Sequence, residues 1–282
     1  MDAQLQRRIQ RFGWDRAVEY YEASWAAQLK PAQDTLLALA ALQPGERVLD
    51  IACGTGLVTW PAAEAVGPGG TVVATDISEK MVQFTAAQAR ARGLAQVQCA
   101  RMGAESLEYP DGSFDTVLCA LGLMYVPEVE TALAEMRRVL APGGRAVAAV
   151  WGARNRCGWA DIFPIVESRV QSDVCPMFFQ LGTGDSLADR FARAGFHDVR
   201  TERLSTELLY DSGDAAADAA FAGGPVAMAY SRFDEETRQS ARQDYIASIA
   251  RFREGEAYRI PGEFVVACAI AKASKAAEGV EG

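Results

Sequence analysis

The sequence predicts a doubly wound α/β fold, with helices on both faces of a mostly parallel sheet. Short β-branched segments alternate with helical segments between residues 44 and 151, and this alternation is typical of βαβ units. The first strand also runs into a turn with Gly54 and Gly56 and then into a helix, an arrangement that can hold an anionic group at the helix N-terminus. We therefore expect a ligand site at the carboxyl ends of the strands.

The individual elements follow from local signals along the chain. Apolar, β-branched runs predict strands at residues 47–51, 71–76, 97–100, 114–119, 145–151, near 197–204 and at 264–271. Helical periodicity interrupted by glycine or proline predicts helices at residues 58–66, 79–92, 129–140 and 186–194. Ser78 and Asp185 precede two of these helices and are the expected N-caps.

The composition limits the cellular compartment and the kinds of partner that we expect for this protein. A chain of 282 residues can bury a sizeable core, and 37 acids against 28 bases give a formal net charge of -9, which opposes binding to nucleic-acid phosphates. No apolar run approaches a membrane span and the first residues lack a secretory signal, so we expect a soluble cytoplasmic protein. Six dispersed cysteines without a CxxC pair predict neither a disulfide framework nor a zinc site, and no metal is expected.

Two acids mark the ends of the first two strands. Asp50 lies just before the glycine turn, and Asp76 ends the second strand. In doubly wound folds an acid at the second position can accept hydrogen bonds from ribose hydroxyls. The third glycine of a dinucleotide fingerprint is absent, with Thr59 in its place, so the turn by itself also fits a simple packing role.

Several segments together resemble the class I S-adenosylmethionine-dependent methyltransferases, in particular the small-molecule branch that includes the quinone methyltransferases. These segments are DIACGTG at residues 50–56, Asp76, FDTVLCALGLMYV at 114–126 and RRVLAPGG at 137–144. The resemblance covers residues 44–151. It implies a Rossmann-like, seven-stranded sheet with an antiparallel last strand, and S-adenosyl-L-methionine as the cofactor. It also implies in-line methyl transfer to an O, N or C nucleophile of a small, apolar or aromatic metabolite, driven mainly by positioning.

The resemblance further implies a set of cofactor-binding residues. They are Asp50, Ala52, Gly54, Thr55, Gly56, Asp76, Ile77, Met81, Gly103, Ala104, Glu105, Cys119 and Leu121. Gly103 departs from the family pattern, because it stands where the family commonly has an acid that meets the adenine amino group. The adenine contact is therefore open: the backbone N–H of Ala104 and packing by Met102 are the alternatives, and Glu105 could instead cap the next turn.

Aromatic residues predict the acceptor side of the site. Trp14, Tyr21 and Trp25 recur at helical spacing, which fits either ordinary core packing or the helical lid found in similar methyltransferases. The expected substrate-binding residues are Trp14, Tyr21, Trp25, Tyr125, Trp159, Phe163, Phe179 and Tyr230. Tyr125 and Asp161 are the candidates for orienting or deprotonating the acceptor. His197, the single histidine, enters a strand far from the expected cofactor edge and is expected to be structural.

The second half of the chain predicts additions to the core. About sixty residues separate the sixth strand from the last one, far more than two adjacent strands need, and their helical pattern predicts a cap. We expect a lid at residues 1–43, a core at 44–204 and 263–273, a cap at 205–262 and a flexible tail at 274–282. The small-molecule acceptor and the oligomeric state stay open. Two alternatives to the enzyme also stay open, a non-catalytic protein that retains the cofactor fold and a dinucleotide-dependent oxidoreductase.

Overall fold

The computed structural model describes residues 2–170, 178–222 and 226–271. Within these residues the helices are α1 (Ala3–Ala40), α2 (Thr59–Val66), α3 (Glu79–Ala91), α4 (Val129–Val139), α5 (Ile162–Glu167), α6 (Ser186–Arg193), α7 (Gly213–Ala222), α8 (Ala227–Tyr230) and α9 (Glu235–Ile249). The strands are β1 (Arg47–Ile51), β2 (Thr71–Asp76), β3 (Val97–Arg101), β4 (Phe114–Ala120), β5 (Leu140–Trp151), β6 (Phe196–Tyr210), β7 (Arg253–Glu254) and β8 (Ala257–Ala271).

The strands form one sheet that is mostly parallel, as the sequence predicts. Their order is β3-β2-β1-β4-β5-β8-β6, with β7 paired to β8 outside this path. The pairs from β3 to β5 are parallel, whereas β8 runs antiparallel to both β5 and β6. The chain order reverses between β1 and β4, and the crevice outside the carboxyl ends of strands at such a point is the usual ligand position in an open α/β sheet.

Helix α1 packs across the sheet with one face. Its buried apolar residues, Ala17, Trp25, Leu29, Ala32, Leu36 and Ala40, recur at three-, four- and eight-residue intervals, so they form one stripe along the helix. Asp2 caps the helix by accepting a hydrogen bond from the Gln4 N–H, at 2.9 Å. The stripe contributes to the core, while the part of the helix before Ala17 extends past the carboxyl ends of the strands.

The last two long strands differ most from their predicted bounds. β6 and β8 are 15 residues each and stay paired from Phe196↔Ala271 to Tyr210↔Tyr258, so the inserted helices begin after Tyr210 and end before Ala257. Much of β6 is exposed, and its alternating pattern lacks the continuous apolar run by which a buried strand is found in a sequence. The two-residue strand β7 brings the sheet to eight strands within the described residues.

Two further predictions need comment. Ser78 caps α3 as expected, accepting from the Met81 N–H at 3.1 Å, but Asp185 precedes α6 without a capping bond from its side chain. Three features lie outside the described residues: the predicted tail at 274–282, Cys175, and the Gly-Gly-Pro sequence at 223–225 within the predicted cap. Along the part of the chain that the structure describes, no helix is long and apolar enough to cross a membrane.

Candidate active site

A cavity lies between α1 and the carboxyl ends of the parallel strands. Its lining comes from α1, from the ends of the parallel strands and the loops that follow them, and from Trp159 and Phe178 in the segment after β5. The lining residues are Arg7, Gln10, Trp14, Tyr21, Trp25, Leu29, Ile51, Ala52, Gly54, Asp76, Ile77, Met81, Met102, Gly103, Ala104, Glu105, Ala120, Leu121, Gly122, Met124, Tyr125, Val126, Pro127, Trp151, Trp159 and Phe178. The position suits a small-molecule site.

The glycine turn after β1 is fixed to the end of β2. Gly54 has a positive φ of 55°, and its N–H donates to Asp76 Oδ2 at 3.0 Å. The Ser78 N–H donates to the other carboxylate oxygen, Oδ1, at 2.8 Å. A Cβ at Gly54 would meet the ring of Tyr21 at 3.9 Å, so the turn presents bare backbone to the cavity under that ring.

Burial raises the pKa of Asp76 to about 6. The Ser78 and Gly54 N–H groups oppose this rise by favouring the charged form, whereas the nearby Asp15 carboxylate adds to it. The side chain is 7 % exposed yet lines the cavity, so its two oxygens keep free lone pairs toward a ligand. Asp76 is therefore ionised in most molecules at neutral pH and can accept hydrogen bonds from hydroxyl groups.

Asp50 lies beneath the turn and does not line the cavity, although the sequence assigned it to the cofactor. Its Oδ2 accepts from the Thr59 hydroxyl at 2.6 Å, which ties β1 to the start of α2. Burial raises the pKa of Asp50 to about 7, and Oδ1 has no partner among the described residues. The role that this geometry gives Asp50 is to hold the turn in shape.

Three other predicted cofactor residues also lie behind the cavity wall. Thr55 is fully buried, Gly56 is covered so closely by the Trp60 ring that a Cβ there would overlap it, and Cys119 is buried under the loop after β4. The other nine predicted cofactor residues, Ala52, Gly54, Asp76, Ile77, Met81, Gly103, Ala104, Glu105 and Leu121, line the cavity.

The loop after β4 approaches the turn after β1 very closely. A Cβ on Gly122 would lie 2.5 Å from the Ala52 Cβ and 2.9 Å from the Cys119 Sγ, so only glycine fits there. Ala52 and Leu121 both have positive φ, 57° and 60°, a conformation that costs energy in residues with a side chain. This local strain lies at the cavity wall, where the two loops set the distance between cofactor and acceptor space.

Helix α1 is held over the cavity by two polar contacts. The Arg7 guanidinium donates to both oxygens of Glu105, at 2.7 and 3.1 Å, and also to Glu128. About two turns later in the helix, Asp15 Oδ1 accepts from the Ser78 hydroxyl at 2.6 Å and from the Lys80 N–H at 3.1 Å. Glu105 also accepts from the Glu128 N–H at 3.0 Å, so its carboxylate is engaged in holding the helix.

Aromatic side chains form the other end of the cavity. Trp14 meets Tyr21 and Tyr125 edge-to-face at ring-centre distances of 5.7 and 5.2 Å, and we call these three residues the aromatic trio. Tyr125 in turn meets Phe178 at 5.4 Å. Burial raises the pKa of Tyr125 well above its ordinary value, with a further contribution from nearby Tyr21, so the phenol stays protonated at neutral pH.

Three tryptophans close the inner end of the cavity. Trp151 and Trp159 are 4.8 Å apart at their ring centres, and Trp25 lies 6.2 and 6.3 Å from them. The indole N–H groups of Trp25 and Trp159 are buried without a hydrogen-bond partner among the described residues. Apart from these two donors, the ring surfaces of the three tryptophans make this end of the cavity apolar.

The predicted substrate residues divide into two groups. Trp14, Tyr21, Trp25, Tyr125 and Trp159 line the cavity. Phe163 and Phe179 lie one layer behind, packed against Trp159, and Tyr230 stacks on Phe221 near the helical insertion. Residue type and spacing in the sequence do not distinguish the aromatic residues that line the cavity from those that lie one layer behind it.

Asp161 lies away from the cavity, contrary to its predicted catalytic position. It borders a separate surface groove, where its Oδ2 is 3.9 Å from Arg251 Nη2. Trp159 and Asp161 lie on opposite sides of the same segment. Trp159 faces the cavity, and Asp161, two residues later, faces the surface groove. His197 is also outside the cavity lining and contacts Asp198 at 2.9 Å.

Sequence reasoning missed several lining residues, of which Arg7, Gln10, Leu29 and Trp151 matter most. Arg7, Gln10 and Leu29 continue the stripe of Trp14, Tyr21 and Trp25 in both directions along α1, so extending the helical spacing would have found them. Trp151 ends β5, and its position at the carboxyl edge of a parallel strand was the available signal.

Comparison with known proteins decides the family. Residues 48–144 match the model of a methyltransferase domain. The chain is 33 % identical over 217 residues to nocamycin O-methyltransferase of Saccharothrix syringae, a match covering 72 % of this chain and 77 % of the relative. The chain belongs to the S-adenosylmethionine-dependent methyltransferases. It is also 32 % identical over 197 residues to demethylmenaquinone methyltransferase of Geobacillus kaustophilus, covering 64 % of this chain and 82 % of that one.

The solved structures agree on the methyltransferase fold. A putative methyltransferase from Bacillus halodurans superposes with a TM-score of 0.63 at 22 % identity, covering 86 % of this chain and 99 % of that chain. Family, relatives and fold together make this methyltransferase an enzyme that uses S-adenosyl-L-methionine and acts on a small molecule. Neither the non-catalytic alternative nor the oxidoreductase alternative is favoured.

The described residues fit this cofactor. Gly54 leaves its backbone open to the cavity, Asp76 offers a buried carboxylate with free lone pairs, and the loop Met102–Glu105 adds a wall beside them. We call these residues, with Ile77 and Met81, the cofactor half of the cavity. The acceptor half is Trp14, Trp25, Leu29, Met124, Tyr125, Trp151, Trp159 and Phe178.

Proposed function

We propose that this methyltransferase methylates an oxygen or carbon of a planar, hydroxyl-bearing aromatic or enolic small molecule. The observation that carries the proposal is the chemistry of the acceptor half. None of its residues bears a charged side chain, and all of them except Leu29 and Met124 are aromatic. Such a surface favours a flat, largely apolar acceptor.

The charged residues that line the cavity support the same acceptor. Among the described lining residues these are Arg7, Asp76 and Glu105. Arg7 and Glu105 neutralise each other, and Asp76 lies in the cofactor half, held by the Gly54 and Ser78 N–H groups. An ammonium group in the acceptor half would therefore meet no carboxylate to offset its loss of hydration.

Bound S-adenosylmethionine supplies a methyl group activated by a sulfonium. The residues of this chain then have to hold the acceptor in line and exclude water, and positioning of this kind can account for most of the rate. The raised pKa of Tyr125 disfavours a phenolate at neutral pH, so we assign its hydroxyl to hydrogen bonding that orients the acceptor oxygen. The ring faces of the aromatic trio would attract a sulfonium bound beside them.

The relatives support an oxygen or carbon acceptor. The name of one describes an O-methyltransferase and that of the other a demethylmenaquinone methyltransferase. Phenols, quinols and enols have acidic hydroxyls, so their proton can pass to bulk solvent, and the resulting anion is a sufficient nucleophile. No carboxylate or imidazole base in the acceptor half is then needed.

Two organisational proposals accompany this function. We infer that residues 1–43 act as a lid as well as a core helix, and that residues 205–262 act as a cap, with strands β6 and β8 extending into that range. The net charge of -9 favours a free small molecule over a nucleic-acid acceptor.

The test is a matched acceptor panel with methyl-labelled S-adenosylmethionine. Naphthols and naphthoquinols are compared with naphthylamines and benzylamines of the same size, and the labelled product is analysed by mass spectrometry. We expect transfer to the hydroxylated compounds with at least tenfold higher kcat/KM, about 1.4 kcal/mol of discrimination. Preferential transfer to the amines would contradict the proposal, because the aromatic surface would then be serving as a cation site.

A further inference from the structure

Gln10 is a buried amide in the cavity wall that the protein itself does not satisfy. Its side chain is 7 % exposed, lines the cavity and makes no hydrogen bond with any residue in the described ranges. Its amide atoms are not fully enclosed by protein, so they reach the cavity, where water or a ligand can contact them. The side chain is therefore suited to a ligand that brings both a donor and an acceptor.

The contacts of α1 place Gln10 over one part of the cavity. One turn before it, Arg7 is bound to Glu105 in the loop after β3. Five residues after it, Asp15 is bound to Ser78 in the loop after β2. On the helix face that lines the cavity, Gln10 lies between Arg7, which contacts the loop after β3, and Trp14, which contacts Tyr125 after β4. The Asp15 contact keeps the loop after β2, with Asp76 at its start, beside this part of the helix.

The wall near Gln10 lacks the polar group that an adenine ring needs. Gly103 has no side chain, and a Cβ at this position would meet nothing within 4 Å, so there is open space beside the loop. Glu105 does carry a carboxylate, but both of its oxygens are held by Arg7 and one also by the Glu128 N–H. Gly103 offers no side-chain acceptor, and the Glu105 carboxylate is oriented by Arg7 and Glu128, which leaves one lone pair on its Oε2.

We propose that Gln10 recognises the adenine edge of the cofactor, in place of an acid in the loop after β3. Its Oε1 accepts a hydrogen bond from the 6-amino group, and its Nε2 donates to an adjacent ring nitrogen. Paired donation and acceptance between a glutamine amide and adenine is a standard recognition geometry. The inference concerns the cofactor half and does not depend on the acceptor class.

The test is a cycle of four dissociation constants measured by calorimetry without acceptor. Wild type and Gln10→Met are each titrated with S-adenosylhomocysteine and with its purine analogue that lacks the 6-amino group. In wild type the amino group should improve binding by about tenfold, as expected for a buried hydrogen bond. In Gln10→Met, whose side chain is of similar length, the two ligands should bind within about twofold of each other.

Controls separate recognition from packing. Gln33 is a second buried glutamine of α1, 8 % exposed, that does not line the cavity, so Gln33→Met should keep the wild-type preference for the amino group. If Gln10→Met does not fold, Gln10→Ala provides the same comparison. The proposal is overturned if wild type does not distinguish the two ligands, or if a Gln10 variant weakens both equally and retains the preference.

Discussion

Arg7 and Glu105 are 98 residues apart in the chain and form a two-bond ion pair, with 2.7 Å between Nε and Oε2, at the mouth of the cavity. The pair joins α1 to the loop after β3. The Glu105 side chain is only 10 % exposed, and the Arg7 side chain is 34 % exposed, so solvent screens the pair only in part. The pair is one of the two polar contacts that hold α1 over the cavity.

Breaking this pair should loosen the first turns of α1. We expect Arg7→Gln to cost about 1 kcal/mol in closing the helix, because a bidentate pair of intermediate exposure is worth more than an exposed one. S-adenosylhomocysteine should then dissociate roughly fivefold faster, as measured by stopped-flow fluorescence of the cavity tryptophans. Amide exchange at residues 5–15 should become faster as well.

Lys30→Gln is the matched control for this prediction. It breaks the Lys30–Asp34 pair on the same helix, whose side chains are 67 % and 58 % exposed, and an exposed pair of this kind should contribute little. An equal change in the dissociation rate for Lys30→Gln and Arg7→Gln would mean that the ion pair has no specific part in closure.

Asp76 predicts the pH dependence of cofactor binding. Its pKa in the free protein is raised to about 6, and ribose hydroxyl donors stabilise the ionised form. Affinity for S-adenosylhomocysteine should therefore be constant above pH 7 and fall as the pH drops through 6, by up to about tenfold per unit. Calorimetry between pH 5 and 8 measures this change.

The companion variant is Asp76→Asn, which cannot ionise. Its binding should be weaker at pH 7.5, by about 1.5 to 3 kcal/mol, and should lose most of the dependence on pH between 5 and 7. A variant that keeps the wild-type profile would show that another group, such as Asp50, controls binding.

Tyr125 should act through its hydrogen bond and its ring rather than as a base. Tyr125→Phe should lower kcat by about tenfold or less, since it removes one neutral hydrogen bond. Tyr125→Ala should cost more, because it also removes the edge-to-face contacts with Trp14 and Phe178. A wild-type rate that rises with pH, with the rise lost in Tyr125→Phe, would instead identify the phenol as a base in catalysis.

Gly122 should tolerate no side chain. In Gly122→Ala the new methyl would overlap Ala52 and Cys119, and relief of this overlap should cost about 1 to 3 kcal/mol of stability. Movement of Ala52 should weaken cofactor binding in calorimetry as well. Gly69→Ala is the control, since a Cβ there would meet nothing within 4 Å, and equal losses in both variants would rule out the close approach as the cause.

The parallel half of the sheet could be predicted from the sequence because its strands are short, apolar and separated by strong turn signals. Asp76 at the end of β2 and Gly54 after β1 followed from the same pattern. The exposed strand β6 lacks that signal, and its partner β8 begins seven residues earlier than expected because pairing continues through Pro261. Strand pairing, which depends on residues far apart in sequence, decided these bounds.

The sequence predicted site residues where a regular helix fixes which side chains share a face. It did not do so in irregular segments, where tertiary packing sets the orientation of each side chain. The stripe of Trp14, Tyr21 and Trp25 indicated which face of α1 covers the cavity. The orientation of the segment around Trp159 and Asp161 could not be found in this way, because a helix of six residues and its flanking turns have no sustained period. Asp161 was consequently placed on the wrong side of that segment.

The most direct test of this account is a crystal structure of the enzyme with S-adenosylhomocysteine. We expect the ribose hydroxyls within hydrogen-bond distance of Asp76. The sulfur should face Tyr21 and Tyr125 of the aromatic trio. The space next to the sulfur should open onto Trp25, Trp151 and Trp159. A product whose ribose lies away from Asp76, or whose sulfur points away from the acceptor half, would contradict the division of the cavity on which the proposed function rests.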